Sequence, residues 1–144
     1  MATYKEGDVM PRVSYAFFLS AVVYGICGMV LGMVMGASQD HTLMPVHAHV
    51  NLLGWVSLAI MGGFYALAGQ RHPPRLAWIN FALSNVGILL VGPLPAVLLL
   101  KNDLRVVPFM ILGEIMLVAG MVLFGIAVLR TAKAGSPPAT AAAA

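Results

Sequence analysis

Four long apolar runs dominate this chain and restrict it to one kind of structure. Each run has about 20 or more largely apolar residues, the length that a helix needs to cross a bilayer. Inside hydrocarbon every backbone polar group must be bonded within the protein, so such runs fold as helices. The predicted membrane spans, numbered 1 to 4, lie near residues 13–36, 43–69, 76–100 and 104–129.

The composition agrees with a membrane protein and excludes other classes. Of 144 residues, 60% are hydrophobic and 9% are charged, and the mean hydropathy is +0.92. Soluble domains and disordered chains do not have this composition. The net charge of +3 comes from lysines and arginines scattered among short connections. These residues form no basic stripe of the kind that binds nucleic acid, so the expected surroundings are lipid.

Short connections between the runs predict the fold class. Neighbouring helices joined in this way are antiparallel, so we expect an all-α membrane protein, a four-helix antiparallel transmembrane bundle. Residues 1–134 then form a single transmembrane domain, and residues 135–144 form a disordered tail rich in alanine and proline.

The basic residues predict the orientation of this bundle. Cytoplasmic connections carry an excess of lysine and arginine. Both termini are therefore expected to be cytoplasmic, in what we take to be a bacterial inner membrane. One predicted side holds Lys5, Arg12, Arg71, Arg75, Arg130 and Lys133, whereas the other holds Lys101 and Arg105.

The start of span 2 carries two histidines and an asparagine in apolar surroundings. Imidazole is a ligand for haem iron and for copper. Two residues advance a helix by about 200°, so His47 and His49 point to nearly opposite faces. His47 shares its face with Asn51 and with Gly54, which we expect to leave room for a flat macrocycle. His47 is thus the preferred haem ligand and His49 the second candidate. Alternatively, both are interfacial histidines bonded to water or to Asp40.

The same end of span 2 also offers a donor set for copper. His41 and Met44 precede His47 and His49, and imidazole and thioether groups both bind this metal. A copper site at the outer membrane face is therefore a second interpretation.

Glu114 in span 4 is the acidic residue deepest in a predicted span. An intramembrane carboxylate is costly when charged, so it is usually protonated, paired or functional. It can pair with a histidine, or with Asn85 or Asn80 of span 3, and serve a proton path. The alternative is a protonated side chain bonded to a neighbouring helix. Asn80, Ser84 and Asn85 are expected to bond between helices.

Glycines and prolines predict how the spans pack. Gly28, Gly32 and Gly36 recur at spacing four in span 1 and allow close approach of another helix, inside the monomer or in a second copy. Pro93 and Pro95 predict a kink in span 3.

Short motifs in spans 2 and 3 occur in a familiar order. His47-Ala48 is followed by Met61-Gly62-Gly63-Phe64, and the series continues with Asn51-Leu-Leu, Phe64-Tyr65-Ala66-Leu67 and Pro74-Arg-Leu-Ala-Trp78-Ile. Residues 11–90 thereby resemble the amino-terminal helices of the catalytic subunit of haem-copper oxidases and nitric oxide reductases. The oxidase pattern makes His47 the counterpart of the low-spin haem ligand, and the reductase pattern makes it His49.

The resemblance implies a haem of b type with histidine ligation, but the chain departs from the family. Spans 1, 3 and 4 contain no histidine. The second low-spin ligand and the ligands of the binuclear metal centre are therefore missing, and we do not expect a self-contained oxidase.

Three hypotheses follow. The first is a small haem-binding membrane protein for electron transfer or haem handling. Its second ligand comes from another protomer of a homodimer, from another respiratory membrane subunit, or from Met110 or Met116. The second hypothesis is a module that binds or transports copper. The third is a structural or assembly subunit without a cofactor.

Overall fold

The computed structural model describes residues 10–134, and all regular structure in that range is helical. Four helical segments are long and apolar enough to cross a membrane. They confirm the number of predicted spans, and their bounds lie within five residues of the predicted ones. From here on, spans 1 to 4 denote Arg12–Ser38, Met44–Arg71, Pro74–Lys101 and Leu104–Ala134.

Two spans are single helices and two are divided. Span 1 is α1, Arg12–Ser38. Span 2 consists of α2, Met44–His49, a π-helical segment, Val50–Ser57, α3, Leu58–Ala68, and a short 3₁₀ turn, Gly69–Arg71. Span 3 is α4, Pro74–Val91, and α5, Leu94–Lys101. Span 4 begins with a 3₁₀ turn, Leu104–Val106, and continues as α6, Val107–Ala134.

The predicted interruption of span 3 occurs between α4 and α5. Gly92 still donates its backbone N–H to the Ile88 carbonyl at 2.8 Å. Pro93 has no N–H to donate, so the regular bonding pattern stops there. The helix resumes at Leu94 with Pro95 in its first turn, a position where the missing N–H costs little.

The spans pack as two pairs that share a core. Span 1 lies along span 2, and span 3 lies along span 4. The core is densest around α3, where Phe17, Leu58 and Tyr65 are fully buried. The Phe17 ring stacks on Tyr65 with centroids 5.5 Å apart, and Phe64 meets Phe124 of span 4 edge-on at 5.3 Å. The two histidines of span 2 lie at the opposite end of that span from this aromatic core.

Many large apolar side chains remain exposed, as expected for surfaces that face lipid. Examples are Leu19, Met33 and Leu67. The predicted tail at residues 135–144 lies outside the described residues.

Candidate functional site

His47 faces span 1 and is partly buried between the first two spans. Its Nδ1–H donates to the backbone carbonyl of Gly28 at 3.0 Å. The ring lies against Gly32, where an added Cβ would come within 2.8 Å of His47 Cε1. Two of the glycines in the predicted close-packing face are therefore used inside the monomer. At Gly36 an added Cβ would meet no atom within 4 Å.

Asn51, which lies on the same span as His47, packs against the same imidazole. Its Nδ2 donates to the His47 backbone carbonyl at 2.9 Å and lies 3.4 Å from both ring nitrogens. The amide occupies the space that a Gly28 side chain would take, since an added Cβ would lie 2.6 Å from Asn51 Cγ. Both ring nitrogens of His47 thus have polar neighbours in the protein. The contact of His47 and Asn51 with Gly28 joins span 1 to span 2.

Gly54 does not leave free space beside His47. An added Cβ at Gly54 would lie 2.7 Å from Cβ and Cγ of Tyr24 in span 1. The expectation that this glycine makes room for a macrocycle is wrong, because span 1 fills the space. Gly54 therefore gives no reason to prefer His47 over His49 as the haem ligand.

His49 has the opposite surroundings. Its Nδ1 lies 2.7 Å from the carbonyl oxygen of Pro45. A carbonyl only accepts hydrogen bonds, so Nδ1 carries a hydrogen, and in the neutral ring Nε2 keeps its lone pair. No partner for Nε2 occurs among residues 10–134. The partly exposed ring borders a recess of about 200 Å³ that is lined also by Ala48, Leu52 and Leu53.

A π-helical segment begins directly after His49, and our sequence analysis did not predict it. In such a segment the backbone bonds span five residues instead of four. The Ser57 hydroxyl follows the same spacing and donates to the Leu52 carbonyl at 2.8 Å. Nothing in the run Val50–Ser57 distinguishes it locally from an α-helical run. π-helical turns are frequent at functional sites, so this end of span 2 is a candidate functional site.

The four donors considered for copper do not form one group. His41 lies in the connection between spans 1 and 2, where its Nδ1 is 3.2 Å from the Gln39 carbonyl. Met44 is 49% exposed, and His47 and His49 face different ways. Within residues 10–134, no three His, Cys, Asp or Glu side chains stand close enough together to hold a metal ion.

Glu114 lies on the outward surface of span 4. It is exposed and borders an open recess of about 450 Å³, together with Ile111, Ile115, Val118 and Ala119. The structure does not bring it to Asn85, whose Nδ2 donates to the Phe81 carbonyl of its own helix at 2.9 Å.

A second polar cluster lies inside the bundle. Asn80 is fully buried, and its Nδ2 donates to the Tyr65 hydroxyl at 3.1 Å. The Ser84 hydroxyl donates to Asn80 Oδ1 at 3.2 Å. His72 packs edge-on against Tyr65 and donates its Nδ1–H to the Gly69 carbonyl. Asn80 thus bonds spans 2 and 3 together as predicted, whereas the Asn85 side chain bonds within its own helix.

Asp40 and Asp103 lie in the connections that precede spans 2 and 4. Asp40 accepts from the Thr42 hydroxyl at 2.6 Å and from the Thr42 backbone N–H at 2.9 Å. These bonds favour the carboxylate and lower the pKa of Asp40. In the connection before span 4, Asp103 pairs with Arg105 at 2.9 Å, which likewise lowers the pKa of Asp103.

Comparison with known protein families, with characterised proteins and with solved structures finds no match for this chain.

Proposed function

We propose that this protein is a small haem-binding protein of a bacterial inner membrane, serving electron transfer or haem handling, with His49 as an axial ligand. The single observation that carries the proposal is the state of the His49 imidazole. Its Nδ1–H is bonded to a backbone carbonyl, and its Nε2 lone pair is free beside an apolar recess.

This arrangement suits coordination for two reasons. Ligand histidines commonly donate the second ring N–H to a carbonyl, which orients the ring and raises the basicity of the coordinating nitrogen. The recess beside His49 offers apolar surface from Leu52 and Leu53 to one face of a flat macrocycle. His47 serves instead as a structural contact, because Asn51 and span 1 surround its ring.

The proposed arrangement is an antiparallel bundle with both termini in the cytoplasm. The distribution of lysine and arginine supports it. The order of contacts between spans 1 and 2, where Gly25 meets Trp55 and Gly32 meets His47, supports the antiparallel direction of these two spans but not the side of the membrane. His49 then lies toward the outer face of the membrane.

A haem held by His49 would need a second donor from elsewhere. We propose the same histidine of a second protomer, with Met110 or Met116 of span 4 as the alternative. When bound, the haem supplies one-electron chemistry at the iron. The protein holds it through the imidazole and excludes water with the surrounding apolar side chains.

Visible spectra of the purified, detergent-solubilised protein test this proposal. After haem is added, we expect the spectrum to show a Soret band. After reduction, we expect the protein to show the sharp visible bands of a low-spin haem. His49→Ala removes this band, whereas His41→Ala, a matched change in an exposed connection, retains it. His47→Ala retains the band in the folded fraction, which circular dichroism and gel filtration identify.

Three results would reverse the proposal. A band lost in His47→Ala but kept in His49→Ala transfers the ligand role to His47. Stoichiometric copper without iron in elemental analysis favours the copper interpretation. A colourless parent protein that binds neither haem nor metal and purifies with other membrane subunits favours a structural role.

A further inference from the structure

Glu114 is a carboxyl group in the middle of the membrane on a surface that faces outward. It lies 10 residues after Leu104, where span 4 begins, and 16 residues before Arg130. At 1.5 Å per residue these separations are about 15 Å and 24 Å. Because the hydrocarbon core is about 30 Å thick, the carboxyl group lies near its centre. Polar groups at that depth almost always face protein or water rather than lipid.

The described part of the chain supplies no internal partner for this group. The side chain is exposed, and no hydrogen bond or ion pair to it occurs within residues 10–134. The inward face of the same helix is already occupied by span 3. An added Cβ at Gly113 would lie 2.7 Å from Leu90 Cβ, and one at Gly120 would lie 2.9 Å from Ser84 Oγ.

The outward face of span 4 has the features of a helix contact. Val118, Met121 and Gly125 follow Glu114 at separations of 4, 7 and 11 residues, which places all four on one stripe of an α-helix. Val118 is 65% exposed and Met121 is 50% exposed. At Gly125 an added Cβ would meet no atom within 4 Å, so the backbone is open to the close approach of another helix.

We propose that a second copy of this chain covers this stripe, with the two Glu114 side chains hydrogen-bonded to each other across a twofold axis. A protonated carboxyl group carries one donor and one acceptor, so it is its own complement. In a twofold interface a residue on the axis meets its own counterpart. The recess beside Glu114 accommodates apolar side chains of the partner helix. This interface requires no haem.

Disulfide cross-linking in lipid vesicles tests the interface. The chain has one cysteine, so Cys27→Ser provides a background without thiols. In that background Val118→Cys forms a covalent dimer on mild oxidation at a low ratio of protein to lipid. Val30→Cys is the matched control, because it is also an exposed valine within a span but lies on span 1. We expect little cross-linking at that position.

Substitutions of Glu114 test the pairing itself. In the Val118→Cys background, Glu114→Leu removes the hydrogen bonds and weakens dimerisation about tenfold, as measured by the yield of the disulfide-linked dimer over a series of protein-to-lipid ratios. Glu114→Gln retains dimerisation, because two amides also pair as donor and acceptor. Glu114 is exposed in the protomer, so both variants are expected to fold.

The proposal is overturned by equal cross-linking at residues 118 and 30, by its absence at residue 118, or by dimerisation unchanged in Glu114→Leu. A Glu114→Gln variant that dissociates as Glu114→Leu does would also overturn the pairing of the two Glu114 side chains, because the carboxylate would then contact another group of the partner copy. The vesicles are prepared without haem, so these outcomes are independent of the spectra described above.

Discussion

The contact between spans 1 and 2 can be tested with a graded series of alanine substitutions. Gly28, Gly32 and Gly36 share one face of the same helix but meet different surroundings. An added Cβ would overlap Asn51 at Gly28, approach His47 Cε1 to 2.8 Å at Gly32, and meet nothing within 4 Å at Gly36. The expected order of destabilisation is therefore Gly28→Ala, then Gly32→Ala, then Gly36→Ala.

The magnitude for Gly28→Ala follows from what must move. Three atoms of the Asn51 amide lie within 2.6 Å of the new Cβ, so the side chain has to rotate or the helices have to separate. Overpacking of this kind costs about 1–3 kcal/mol. Rotation also breaks the bond from Asn51 to the His47 carbonyl, but that bond lies within span 2 and is expected to contribute little. Removing a helical glycine offsets about 0.5–1 kcal/mol.

The net loss expected for Gly28→Ala is about 0–2.5 kcal/mol of the free energy of unfolding. Gly36→Ala should be neutral or slightly stabilising. Titration with sodium dodecyl sulfate in mixed micelles measures both values, with tryptophan fluorescence as the signal. Trp55 suits this purpose because it packs against span 1 at Gly25.

A double-mutant cycle isolates the cause. If Asn51 is the obstacle, Asn51→Ala removes the overlap, and Gly28→Ala then costs much less in that background. Additive effects of the two substitutions would refute the explanation. So would equal stabilities of Gly28→Ala and Gly36→Ala.

Two other predictions concern the polar groups. Asn80→Leu removes the partner of the Tyr65 and Ser84 hydroxyls and should lower the free energy of unfolding by about 1–2 kcal/mol. Asn85→Leu loses a bond within its own helix and should change the free energy of unfolding little. The same detergent titration compares the two variants. The lowered pKa of Asp40 means that its carboxylate stabilises the fold above the unfolded pKa and that this contribution disappears as the pH falls through the folded value. Thr42→Val should raise the Asp40 pKa toward its ordinary value, which carbon-13 NMR of the side-chain carboxyl group measures.

Part of the candidate site followed from helical geometry alone. His47 and His49 are two positions apart, so they had to face different directions in any helix. The same geometry groups His49 with Leu52, Leu53, Val56 and Ile60. Leu52, Val56 and Ile60 are exposed, whereas Leu53 is partly buried against the core. A helical wheel shows which residues share a face, but it does not show what that face meets.

Choosing between His47 and His49 as the haem ligand required knowing what each helix face contacts. Gly54 suggested free space beside His47, and the structure fills that space with Tyr24. A small residue is compatible with a cofactor and with a closely packed helix, and only the neighbouring span distinguishes the two. Glu114 is a similar case, because depth in the membrane follows from sequence position whereas its outward direction follows from the packing of span 4 on span 3.

The sequence by itself determined four helices long and apolar enough to cross a membrane and the break in span 3. Hydropathy summed over about 20 residues outweighs local preferences, and a proline without an N–H interrupts a helix in any surroundings. Only the tertiary structure decided that span 1 closes over His47, that His49 keeps a free nitrogen, and that a π-helical segment follows it. The first of these features depends on contacts between residues distant in the chain, such as His47 with Gly28, which no local pattern encodes.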